Sequence, residues 1–145
     1  MIRLFLILAV LVAVTYVSFA RWKKGKNLES VSSIAYILPT WLFTTTLGIE
    51  GILLSPGMFE IMPENWKFIS FLSVCGLFLV AASPRFHSES TVIHCVGGYM
   101  FCFFGQIIVA FVSPIALLGW SPFAMYLLFS KKSDKTFWAE ATSIS

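Results

Sequence analysis

The chain has 145 residues, of which 58% are hydrophobic and only 12% charged, with a formal net charge of +3. Soluble domains carry about 25% charged residues, so this composition, with a mean hydropathy of +0.86, excludes an ordinary soluble domain. The basic residues stand in short clusters beside apolar runs, which excludes a long nucleic-acid-binding tract. The sequence therefore predicts a single-domain, all-α integral membrane protein.

The first apolar run, residues 2–20, is predicted to span the membrane. Arg3 in front of it and the segment SFA at residues 18–20 resemble a signal peptide with its cleavage site. The run is longer than the usual ~7–15 residues of a signal core, and a basic cluster that resists translocation follows it. The members of this cluster are Arg21, Lys23, Lys24 and Lys26. We therefore expect a retained helix with the amino terminus outside.

The second run, residues 33–54, carries Glu50, the only acidic residue within the long apolar runs. Steps of three or four residues place one polar face along this helix, namely Ser32, Tyr36, Pro39, Phe43, Thr46 and Glu50. A polar face is expected to point into the protein rather than at lipid. Pro39 cannot bond the carbonyl of Ala35, so it is expected to kink the helix. The run is predicted to end at the Ser-Pro-Gly segment, residues 55–57.

Three further spans are predicted at residues 66–82, 91–112 and 114–130. With five spans, every clearly basic loop falls on one side, which the positive-inside rule assigns to the cytoplasm. The prediction is a bundle of about five transmembrane helices with the amino terminus outside and the carboxyl terminus cytoplasmic. The expected location is the cytoplasmic membrane of a bacterium, as a multi-pass protein.

The fourth run is rich in small residues. Gly98, Cys102 and Gly105 follow an i, i+4, i+7 pattern that lets helix backbones approach closely in lipid. The cysteines lie inside apolar runs and are expected to pack as free thiols. The sequence contains neither a metal-ligand spacing nor a glycine-rich phosphate loop, so no metal or cofactor is predicted.

Glu50 and Gln106 are predicted to lie at matched depths near the outer ends of their helices. Glu50 is four residues from the predicted end of its run, about 6 Å by helical rise. A hydrogen bond between the two side chains is therefore expected, with the hydroxyl of Thr46 one turn below. Two interpretations stay open: Glu50 is a proton or cation site, or it is a neutral packing residue.

His94 is predicted at the opposite, cytoplasmic end, level with Ser32 and Tyr36. A histidine beside a serine can serve as base and nucleophile in a hydrolase or transferase. Such a base needs a third group to orient it, and Glu89 and His87 are the local candidates. Histidine also forms simple hydrogen bonds between membrane helices, and no recognised catalytic motif includes His94.

Three functions are compatible with these patterns. The first is a non-enzymatic bundle that acts through membrane lipid or a partner membrane protein, which includes a second copy of the chain. The second is a small oligomeric transporter or channel, with a ligand or ion path lined by Ser32, Tyr36, Thr46, Glu50, His94 and Gln106. The third is a membrane enzyme at the inner face. No nucleic-acid partner is expected.

Overall fold

The computed structural model describes residues 2–24, 34–86 and 90–119, which form helices and no strand. The α-helices are α1 (Ile2–Lys24), α2 (Ile34–Ile37), α3 (Thr40–Ile61), α4 (Lys67–Ala82) and α5 (Ser90–Val112). Short 3₁₀ helices lie at Glu64–Trp66, Ser83–Arg85 and Pro114–Gly119. Four segments in this part, α1, α3, α4 with its flanking turns and α5, are long and apolar enough to cross a bilayer. The chain is therefore an all-α protein with the character of a multi-pass membrane protein.

The fifth predicted span, residues 114–130, lies mostly outside the described residues. Its described portion, Pro114–Gly119, is a 3₁₀ helix rather than the first turns of an α-helix. The count of five spans and the side of the carboxyl terminus therefore stay predictions.

Pro39 interrupts the second predicted span instead of only bending it. The α2 helix ends at Ile37, and Pro39 has an extended backbone, with φ −52° and ψ 132°, immediately before α3 begins. Proline has no amide hydrogen to continue the helical ladder. The chain resumes at once because the amide of Leu42 donates to the carbonyl of Pro39 at 2.8 Å.

The predicted end of this span at residues 55–57 is wrong, because α3 continues through Pro56 to Ile61. Pro56 cannot donate to the carbonyl of Ile52, four residues earlier. The hydroxyl of Ser55 donates to that same carbonyl at 3.0 Å and replaces the missing bond. The helix thus continues past a proline.

Each long helix packs mainly on its neighbour in sequence: α1 on α3, α3 on α4, and α4 on α5. Leu6 near the start of α1 touches Gly57 near the end of α3. At the opposite end, the ring of His94 in α5 stacks on Phe43 in α3, with centroids 6.4 Å apart. Successive spans therefore alternate in direction.

Two clusters of buried apolar residues hold these helices together, one toward each end. The larger contains Tyr16, Ala20, Ile34, Leu38, Phe43, Leu47, Leu77, Ala81 and Phe101. The smaller contains Met62, Ile69 and Ile108. The larger cluster lies toward the end where α1 and α4 finish, which also carries Arg21, Lys23, Lys24 and Arg85. We call this the basic end.

The backbones of α4 and α5 approach closely at Gly76 and Gly97. A Cβ atom built on Gly97 would lie 2.6 Å from the carbonyl oxygen of Gly76 and 2.9 Å from the backbone nitrogen of Val80. A Cβ atom on Gly76 would lie 2.5 Å from the backbone nitrogen of Phe101. Because the opposing atoms belong to the backbone, neither position has room for a side chain.

The predicted packing stripe of Gly98, Cys102 and Gly105 does not make this closest contact with α4. A Cβ atom on Gly98 meets no atom within 4 Å in the part of the chain that the structure describes. Gly105 would make only an ordinary 3.6 Å contact with the hydroxyl of Ser73. Cys102 is half-buried and packs against the larger cluster. The face toward α4 passes instead through Gly97, one residue earlier.

Candidate functional site

Glu50 lies at the middle of α3, ten residues after Thr40 and eleven before Ile61. By helical rise it is about 15 Å from either end of the helix. Its side chain is only 4% exposed, and its Oε2 atom has no hydrogen-bond partner in the described part of the chain. The structure confirms that Glu50 points inward, and it places the carboxyl at mid-span.

The predicted position of Glu50 near the outer end of its helix is wrong, and the reason is local. That prediction depended on a helix end at residues 55–57, whereas the Ser55 hydroxyl lets α3 continue to Ile61. A carboxylate at the centre of a membrane helix costs about 2.5–3.5 kcal/mol on insertion scales, more than one near an end. The corrected depth therefore strengthens the case that Glu50 has a function.

Gln106 does not form the expected hydrogen bond with Glu50: both Oε2 of Glu50 and Oε1 of Gln106 are buried without a partner among the described residues. The stacked rings of Phe43 and His94 set the relative level of α3 and α5. By helical rise, Glu50 lies about 10 Å beyond Phe43 along α3, and Gln106 lies about 18 Å beyond His94 along α5. The two side chains are therefore out of register along the bundle axis.

The rest of the predicted polar face divides at the Pro39 break. Phe43 is buried like Glu50, whereas Thr46 is half-buried and lines a groove on the side of α1. Tyr36 belongs to α2, and its side chain lies outside the described part of the structure, as does the whole of Ser32. The line of six positions, four of them polar, is therefore not continuous along one helix.

His94 pairs with a serine that the sequence did not suggest. Its Nδ1 atom lies 3.1 Å from the hydroxyl of Ser83, which is 2% exposed. That hydroxyl also donates to the carbonyl of Val80 at 2.7 Å. Because the hydroxyl proton of Ser83 points to the carbonyl of Val80, the Ser83 oxygen accepts a hydrogen bond from the Nδ1–H of His94. A catalytic base would instead accept the proton of the serine hydroxyl.

The Ser83–His94 pair therefore fits a hydrogen bond between the end of α4 and the start of α5. The orienting groups considered from sequence, His87 and Glu89, lie outside the described residues. Ser83 directly follows the predicted span at residues 66–82 and precedes Pro84, a position typical of a helix end. A serine at the end of one helix, level with a histidine near the start of the next, is a pattern that could have predicted this pair.

A groove of about 560 Å³ opens between α1 and α3. Its α1 wall runs from Leu8 to Phe19, and its α3 wall includes Leu42 and Thr46. Tyr16 lines this groove, is 7% exposed, and has a hydroxyl without a partner among the described residues. Tyr16 is the one tyrosine within the first apolar run, and its hydrophobic surroundings in the sequence do not distinguish it from the rest of a plain span.

Comparison of the chain with protein-family models, with curated proteins and with solved structures found no match.

Proposed function

We propose that the chain is a non-enzymatic membrane bundle that acts through lipid or through a partner membrane protein, including a second copy of itself. The observation that carries the proposal is the outward surface of α1, in which only Ala9, Tyr16 and Ala20 are buried. Six large apolar side chains of this helix are more than half exposed, namely Leu4, Ile7, Val10, Leu11, Val14 and Trp22. A helix attached along one narrow stripe offers its remaining surface to lipid or to another helix.

The charge of the two ends supports an orientation for this bundle. Arg21, Lys23, Lys24 and Arg85 lie at the basic end, whereas the opposite end combines Arg3 and Lys67 with Glu60 and Glu64. By the positive-inside rule the basic end belongs in the cytoplasm and the amino terminus outside. The cytoplasmic membrane of a bacterium is the location we propose.

A second candidate, a small proton or cation transporter, is favoured by Glu50 itself. Intramembrane carboxyl groups are expensive and commonly mark ion or proton sites. Because this carboxyl is 4% exposed, a side chain on a partner helix outside the bundle cannot reach it, whereas a proton or a small cation can. The unpartnered Oε2 atom gives such an ion a place to bind.

Flux measurements separate the two candidates. The purified protein is reconstituted in liposomes, and proton, sodium and potassium flux are measured for the wild type, Glu50→Gln and Glu60→Gln. Glu60 is exposed near the end of α3 and serves as the matched control. The non-enzymatic proposal predicts no flux above that of protein-free liposomes.

The opposite result is equally specific. Flux that Glu50→Gln abolishes and Glu60→Gln preserves, with both variants folded, would replace the non-enzymatic proposal with the transporter. Folding is checked by gel filtration in detergent and by helical circular dichroism.

A further inference from the structure

We propose that the groove between α1 and α3 binds one anionic phospholipid. An acyl chain lies along the groove, and the phosphate lies beside the basic end of α1. This inference rests on the proposed function, because it names the class of lipid through which the bundle acts.

The dimensions of the groove fit a hydrocarbon chain. Its α1 wall extends from Leu8 to Phe19, about 16 Å along the helix axis by helical rise. Leu11, Val12 and Leu42 make most of its lining apolar. Its volume of about 560 Å³ is within the range of small-molecule sites. Because the groove follows the axis of a spanning helix, a chain within it lies in the same direction as bilayer lipid.

Depth places the headgroup at the basic end. Phe19, the last residue of the α1 wall, precedes Arg21 by two residues, about 3 Å by helical rise. Trp22 is 80% exposed, as expected of a side chain anchored at the membrane interface. A phospholipid with an acyl chain in the groove therefore has its phosphate at the level of the basic residues.

Charge selects an anionic lipid. The last turn of α1 carries Arg21, Lys23 and Lys24. The acidic residues of the described part, Glu50, Glu60 and Glu64, lie at mid-span or toward the opposite end. Basic residues next to a membrane surface attract anionic lipids. A zwitterionic headgroup would bind more weakly at this end, because the basic residues repel its own cationic group.

Native mass spectrometry tests the inference on the full chain. The protein is released from bilayers of equal phosphatidylglycerol and phosphatidylcholine with identical acyl chains. We expect one phosphatidylglycerol per chain, retained in preference to phosphatidylcholine by on the order of tenfold, as a few cations near a phosphate provide. Equal retention of the two lipids would mean annular lipid only and would overturn the proposal.

Two neighbouring substitutions locate the site. Thr15 is exposed and lines the groove, whereas Val14 is 58% exposed and does not line it. Thr15→Trp should fill the groove and remove the bound phosphatidylglycerol, and Val14→Trp should keep it. Retention by Thr15→Trp at the level of the wild type would contradict the proposal. So would a dimer that Thr15→Trp dissociates, because a second copy would then occupy the groove.

A further variant tests the contribution of charge. Lys23→Gln combined with Lys24→Gln should remove the preference for phosphatidylglycerol while some lipid of either class is still retained. An unchanged preference in this variant would overturn the proposal.

Failure of this inference is distinguishable from failure of the proposed function. Bound phosphatidylglycerol together with Glu50-dependent flux would leave the lipid site in place in a transporter. If neither bound lipid nor flux is found, the lipid site is ruled out, and the non-enzymatic bundle would act through a partner protein.

Discussion

Gly97→Ala is expected to lower the free energy of unfolding by about 2–3 kcal/mol, near the upper end of the cost of overpacking. The new methyl carbon would lie 2.6 Å from the carbonyl oxygen of Gly76 and 2.9 Å from the backbone nitrogen of Val80. Backbone atoms cannot rotate away as a flexible side chain does, so α4 and α5 would have to separate. The change can be measured by unfolding in mixed micelles with increasing sodium dodecyl sulfate.

The adjacent residue provides the control for this prediction. Gly98→Ala adds the same methyl group to the same helix, but its Cβ atom meets nothing within 4 Å among the described residues. Alanine stabilises a helix interior by roughly 0.5–1 kcal/mol relative to glycine, so Gly98→Ala should be neutral or stabilising. Gly48→Ala, which has equally open surroundings, should behave in the same way. Equal losses in Gly97→Ala and Gly98→Ala would show that the contact between α4 and α5 is misplaced.

Glu50→Met is expected to raise the free energy of unfolding by about 1–3 kcal/mol, the cost of leaving a buried polar group unpaired. Methionine is unbranched and of similar length, so it should fill the same space without overpacking. Its side chain carries no group that needs a strong hydrogen bond. The same unfolding assay in mixed micelles measures this gain.

The sign of this effect is diagnostic. Glu60→Met, at an exposed position, is the control and should change stability by less than about 0.5 kcal/mol. A loss of stability in Glu50→Met would mean that the carboxyl has a partner in the folded protein, as the predicted bond to Gln106 required. A gain in stability that accompanies loss of flux would be typical of a site where stability is sacrificed for function.

Hydropathy was sufficient to predict where most spans lie. Predicted residues 2–20, 66–82 and 91–112 match α1, α4 and α5 closely, because an apolar run of this length has few alternatives to a membrane helix. The end of α3 could not be predicted in this way. It depends on one hydrogen bond, from Ser55 to the carbonyl that Pro56 leaves free, and hydropathy does not report such a bond.

The wrong end of α3 also led to a wrong predicted depth for Glu50. The inward direction of Glu50 followed correctly from helical spacing, and its burial confirms it. The proposed partner, Gln106, was chosen by counting from a helix end that does not exist, so the two levels differ by about 8 Å along the bundle axis. Sequence spacing gave the direction of a side chain more reliably than its depth.

The sequence also did not determine which face of α5 packs against α4. Gly97 and Gly98 are adjacent, so their directions differ by about 100° in a helix with 3.6 residues per turn. Either one can begin a stripe of small residues. The choice is made by packing against Gly76, and nothing in α5 alone reports that contact.

Single-cysteine labelling shows whether α3 is unbroken and encloses Glu50 near its middle. A membrane-impermeant maleimide is applied to each side of the membrane, with the native cysteines replaced by alanine. We predict that Lys24→Cys is labelled from the cytoplasmic side and Glu60→Cys from the outside, while Glu50→Cys is labelled only after unfolding in detergent. Labelling of Glu50→Cys from the side that labels Glu60→Cys would contradict the account, because it would place residue 50 at the outer surface.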